Sequence, residues 1–216
     1  MNKAWFFGDS FTAGDTAREG SEYYCHFGPG KTFPEIISNH FNFEEVNTAQ
    51  PGCCNETILT RLIENIKNIK EGDLVVIGNT SPLRGLTPSN DGTKLIFQKL
   101  FDSKPYSESK GYNDSKAAEV LLQYCVKYKS GYEELWSSHY NKMFIDILKY
   151  LNTKNIKGIL WDYSVWSEEI TPGMKFENIK EHTKGSIYDL HWSYKGHKKA
   201  SEWILKGLEL NKIYLK

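Results

Sequence analysis

Apolar residues along this chain fall in two patterns: short unbroken runs, and longer stretches in which they recur every three or four positions. The unbroken runs lie at 3–7 (Ala4-Trp5-Phe6-Phe7), at 74–78 (Leu74-Val75-Val76-Ile77-Gly78) and at 156–163 (with Ile159, Leu160 and Trp161 at the centre). Runs of this length predict strands buried on both faces, and a briefer strand is expected at 44–47. The periodic stretches predict helices. One covers 32–39, with Pro34 in its first turn. A second covers 55–70, with Ile58, Leu62, Ile66 and Ile69 on one face and Asn55 as its cap. A third covers 132–151, turning Leu135, Met143, Phe144, Ile147 and Leu151 inward, and a fourth covers 194–210. Strands separated by helices need crossover connections, which make a parallel sheet. The expected fold is α/β, a three-layer α/β/α sandwich around a central parallel sheet.

Two segments break the alternation. Residues 86–114 are rich in Ser, Gly, Asn, Pro and Lys, and 171–186 are polar around Pro172-Gly173. The first is too long for an ordinary connection, so 86–130 is expected to hold an irregular insertion or lid within a single domain spanning 1–216. Both segments follow a strand, on the side where open α/β sheets bind ligands.

Composition narrows the function classes. Lys+Arg and Asp+Glu both number 27, so no global field points to nucleic acid or an anionic membrane. Mean hydropathy is −0.54, and no stretch approaches the roughly 18 consecutive apolar residues of a membrane span. A cleaved secretory leader would remove the first apolar run, so a cytoplasmic, unprocessed chain is expected. The four cysteines (Cys25, Cys53, Cys54, Cys125) form neither a disulfide framework nor a zinc pattern, so no metal and no cofactor is expected. Adjacent Cys53 and Cys54 read as small residues in a turn, or as a redox pair.

The candidate chemistry lies at the two ends of the chain. The first strand runs into Gly8-Asp9-Ser10-Phe11-Thr12, a tight turn that presents a serine hydroxyl. Near the other end stands Asp189-Leu190-His191-Trp192. A serine becomes a useful nucleophile once an imidazole removes its proton, so the pair suggests acyl transfer. The bland alternative makes Gly8-Asp9 a turn with Asp9 or Ser10 capping a helix. His197 is the rival base, and its place near the start of the last helix suits packing better. His26, His40, His139 and His182 have no partner at a telling distance. Trp161, Trp166 and Trp192 fall at or near strand ends that face the expected site, where aromatic rings make substrate walls.

These motifs resemble those of the SGNH hydrolases, the GDSL-type esterases and lipases, over nearly the whole length apart from 86–130. Block I is similar to Gly8-Asp9-Ser10-Phe11-Thr12, block II to Asn47-Thr48-Ala49-Gln50-Pro51-Gly52, block III to Gly78-Asn79-Thr80-Ser81-Pro82, and block V to Asp189 and His191. The resemblance implies Ser10 as nucleophile, His191 as general base and acid, and Asp189 holding the imidazole. It implies an oxyanion hole made by the Ser10 and Gly52 amides and a side chain of block III. The block III asparagine stands one place early, so either Asn79 or Thr80 supplies that donor; Asn79 is the expected one, with Thr80 lying against substrate. Asp189 and His191 are two apart rather than the commoner three, so they share a face only if that stretch is extended. The function implied is hydrolysis of a small-molecule or carbohydrate-linked ester. The imperfect blocks leave room for a non-catalytic binding module on a degenerate scaffold of the same kind. The polar 86–114 segment offers no apolar tunnel, so short acyl groups are expected.

Overall fold

A computed structural model of the chain describes residues 1–14, 32–80, 84–88, 95–99, 129–161 and 194–215. The apolar runs become β1 (Lys3–Phe7), β2 (Glu44–Asn47), β3 (Leu74–Gly78) and β6 (Lys157–Trp161), with β4 (Arg84–Pro88) and β5 (Leu95–Lys99) between the last two and β7 (Tyr214–Leu215) near the end. The helices are α1 (Ser10–Ala13), α2 (Phe33–Phe41), α3 (Asn55–Asn65), α4 (Lys129–Asn152) and α5 (Tyr194–Glu209). Five strands form one parallel sheet in the order β2-β1-β3-β6-β7.

Side-chain alternation explains the layers. Trp5, Phe7, Val75, Ile77 and Leu160 point to one face, where Ile58 and Leu62 of α3 and Phe144, Leu148 and Leu151 of α4 cover them. Ala4, Phe6, Leu74, Val76, Ile159 and Trp161 point to the other, against Phe33 and Ile37 of α2 and Ala200, Ile204 and Leu208 of α5. A strand with period two, covered on both faces, must be apolar throughout. The result is the expected three-layer α/β/α sandwich. Among the described residues no helix is long and apolar enough to cross a membrane.

Local details depart from expectation in four places. The first residue of α3 is Asn55, preceded by Cys54 as a cap without a side-chain hydrogen bond, so Asn55 is not the cap. That helix ends at Asn65 and tightens into a 3-10 turn over Ile66–Asn68, which leaves Ile69 in extended backbone. The inner stripe of α4 is Tyr140, Phe144, Leu148 and Leu151, with Met143 and Ile147 only partly buried beside it. An antiparallel pair, β4 with β5, occupies part of the segment read as irregular. Its signal was present: Leu95-Ile96-Phe97 is a β-prone run, and Asn90-Asp91-Gly92 before it is turn chemistry.

From β1 the chain crosses to β2 on one side, then to β3 on the other. The carboxyl ends of β1 and β3 therefore flank a switch point, the position at which open α/β sheets bind ligands.

Candidate active site

Ser10 stands at that switch point. The chain leaves β1 at Phe7, turns through Gly8-Asp9 and starts a single helical turn whose first residue is Ser10. Asp9 is the cap: its carboxylate accepts the Phe11 amide at 3.1 Å, and Gly14 closes the turn by donating its N–H to the Ser10 carbonyl at 3.0 Å. The capping reading of Gly-Asp-Ser thus holds for Asp9, and Ser10 is spared that duty. Ser10 is 5% exposed.

The second carboxylate oxygen of Asp9 accepts the Thr80 hydroxyl at 2.7 Å. Thr80 is held in turn by Asn55, whose amide donates to the Thr80 carbonyl and accepts the Thr80 N–H, both at 2.9 Å. This bidentate grip is why Asn55 does not cap its own helix. Thr80 is buried with its hydroxyl committed to Asp9. The expectation that it lies against substrate is therefore corrected: it braces the turn that carries Ser10.

Asn79 continues the ladder beyond β3 through its amide, which donates to the Trp161 carbonyl at 3.2 Å. Its side chain is buried and donates through Nδ2 to Asn141 Oδ1 of α4 at 2.5 Å.

The loop after β2 is stitched to the same place. The Gln50 amide and the Cys53 thiol both donate to the Gly8 carbonyl, at 3.0 and 3.3 Å. Asn47 donates through Nδ2 to the Thr12 carbonyl at 2.9 Å, tying the end of α1 to β2. Arg61 of α3 donates to the Thr48 carbonyl at 2.6 Å and to Gln50 Oε1. Gly52 then sits exposed at φ +71, a left-handed conformation that suits glycine. Residues 8–12, 47–53 and 78–80 are thus joined by hydrogen bonds.

Asp189, His191, Trp166 and Trp192 lie outside the described residues. The rival base can be placed. His197 is 1% exposed, accepts the Phe33 amide on Nδ1 at 3.3 Å and stacks on the Phe33 ring. That lone pair is already used, so His197 is a packing histidine. Trp161 is corrected too: it is fully buried between the sheet and α2, edge-on to Phe33 at 6.1 Å. A Cβ on Gly78 would lie 2.2 Å from its ring, so the glycine is what admits the indole. A strand-end tryptophan with glycine beside it in the neighbouring strand is core, not substrate wall.

Cys53 and Cys54 are buried thiols, and Cys25 and Cys125 lie outside the described residues. Burial, and then the neighbouring Glu56 carboxylate, push the Cys54 thiol up to about 11. It stays protonated at neutral pH and is a poor nucleophile. Of the supporting residues, Asn55 reads in sequence as a helix cap and Asn47 only as the start of block II, so neither bracing role was foreseen. Asn141 had no reading at all, and its only trace is an amide on the apolar stripe of α4 between Tyr140 and Phe144.

No family model matches the chain, and no curated protein matches it. Solved structures do. A member of the lipolytic protein G-D-S-L family from Veillonella parvula DSM 2008 matches at 12% identity and TM-score 0.41, over 95% of this chain and 97% of its own. An acetyl xylan esterase, AlAXEase, matches at 13% identity and TM-score 0.45, over 95% and 98%. A lipase/acylhydrolase from Enterococcus faecalis matches at 15% identity and TM-score 0.41, over 98% and 96%.

Proposed function

We propose that the chain is a serine ester hydrolase acting on a small-molecule or carbohydrate-linked ester. Ser10 is the nucleophile, His191 takes and returns its proton, and Asp189 holds the imidazole in the required tautomer. The tetrahedral oxyanion is met by the amides of Ser10 and Gly52 and by Asn79 Nδ2, each such donor being worth about 3 kcal/mol of barrier. One observation carries the reading: Asp9 takes over the helix cap, leaving Ser10 at the switch point, and the same carboxylate holds Thr80, the residue after the buried Asn79. A structural turn would need neither the buried Asp9–Thr80 hydrogen bond nor an amide at that depth.

A fluorophosphonate probe, followed by peptide mapping, tests it. Labelling confined to Ser10, with turnover of short p-nitrophenyl esters or acetylated sugars, is the expected result. An unlabelled Ser10 in folded protein would overturn it and favour a binding module on the same scaffold.

A further inference from the structure

We propose that Asn141 is a positioning residue for the oxyanion hole, acting through Asn79. Asn141 lies on α4, 62 residues along the chain from Asn79, and is 9% exposed on a stripe otherwise formed by Tyr140, Phe144, Leu148 and Leu151. An amide buried on an apolar stripe is costly unless hydrogen-bonded, and a leucine would serve the packing better. What the amide supplies is an acceptor at 2.5 Å from Asn79 Nδ2.

The geometry of a primary amide gives that acceptor its consequence. Asn79 Nδ2 carries two N–H bonds about 120° apart in one plane. Fixing one of them on Asn141 Oδ1 sets the plane of the amide, and so the direction of the other. It also opposes the flipped rotamer, because turning Asn79 alone would bring its oxygen against the Asn141 oxygen. A flipped Asn79 would present a carbonyl oxygen to the developing oxyanion and repel it. Preorganised donors help a reaction because they need no reorientation as charge develops. Helix α4 therefore contributes to turnover through a residue that need not touch substrate.

This role rests on the esterase chemistry proposed above, and a double-mutant cycle separates the two. Asn141→Leu and Asn141→Ala are each made alone and on Asn79→Ala, then assayed with p-nitrophenyl acetate and by the rate of fluorophosphonate labelling. Each Asn141 variant alone is expected to lower kcat about tenfold or more with KM within about twofold, the signature of a contact felt mainly in the transition state. On the Asn79→Ala background the same change is expected to cost almost nothing further. Asn141→Ala removes the acceptor without added bulk and reads the same cycle if the leucine variant fails to fold. Wild-type kcat in a folded Asn141 variant overturns the proposal. So does an equal loss with and without Asn79, which would mark a merely structural role. Full kcat in Asn79→Ala, with Ser10 still labelled, removes Asn79 from the oxyanion hole and Asn141 with it. Wild-type protein that neither turns over nor labels sinks the esterase reading itself.

Discussion

Two buried aspartates bind β1 to β3 at opposite ends of the sheet, and they do so differently. At the amino end, Asp73 stands just before β3 and accepts the Lys3 amide at 2.8 Å, the Trp5 indole at 2.9 Å and the Lys70 amide at 3.0 Å. At the carboxyl end, Asp9 follows β1 and accepts the Phe11 amide and the Thr80 hydroxyl. Both carboxylates are nearly inaccessible, at 4% and 3% exposure. A buried carboxylate must be surrounded by donors, and both are. The donors of Asp73 are a strand amide, a core indole and a turn amide, so its work is finished once the chain is folded. Those of Asp9 belong to residues next to Ser10 and Asn79, so the same bonds that stabilise the fold also set the geometry of the candidate site. On the proposed function, stability and chemistry are separable at one end of the sheet and shared at the other.

The sharpest break between the ends comes from Ser10. Ser10→Ala should lower ester turnover by about 10⁴-fold or more while changing stability by no more than about 1 kcal/mol. Steady-state kinetics beside urea denaturation would show it, and undiminished turnover by folded protein would remove Ser10 from the chemistry. Asp73→Ala should do the reverse. It strands a buried indole N–H and takes the partner from two half-buried amides, so a loss of about 3 kcal/mol is expected, with kcat per folded molecule unchanged. A fall in kcat at full folding would mean that the two ends are coupled.

The same contrast explains what was legible in the sequence. Four strands and four helices could be read because their residues are buried by a regular period, and burial by period is visible in one dimension. Ser10 and Asn79 stand out in sequence as candidates because they follow the apolar runs of β1 and β3, and Gly52 because it follows a proline in the loop after β2. The supporting layer does not stand out. Asn55 resembles a cap in sequence, and only the position of Thr80, 25 residues on, reveals what its side chain holds. Trp161 resembles a strand-end aromatic until Gly78 appears beside it across the sheet. The two-residue β7 leaves almost no pattern, since it exists by pairing with β6. Local periodicity writes the framework, and long-range hydrogen bonds write the site.

Thr80→Val sharpens the comparison at the shared end. The change is nearly isosteric and takes one donor from Asp9 while leaving the Asn55 grip on the Thr80 backbone in place. A stability loss of about 1–2 kcal/mol is expected, together with a drop in kcat of roughly three- to tenfold, since a buried acceptor loses its partner and the Ser10 turn loosens. Losing stability with full kcat would show that the Ser10 turn is held without Asp9's second bond, and the two aspartates would then be equivalent.

The smallest effect expected belongs to Cys54, the residue that precedes Asn55 at the site end. Its thiol is raised to about 11 from an ordinary 9.0, by burial first and the Glu56 carboxylate second. Below about pH 9 both the folded and the unfolded thiol keep their proton, and the stabilising contribution of the buried neutral thiol is fully present. From about pH 9 to about 11 the unfolded chain ionises first, so that contribution is lost as pH rises. Cys54→Ala should therefore make the alkaline decline in stability shallower over this window, read as the difference between urea midpoints of the two proteins from pH 7 to 11. Because the thiol stays protonated, iodoacetamide at pH 8 should leave Cys54 unmodified in the folded chain. Parallel declines for wild type and variant, or rapid alkylation without unfolding, would show that the thiol is more open than its buried position implies. The site end would then admit solvent behind Asn55, and its bracing of Thr80 would be weaker than the hydrogen bonds suggest.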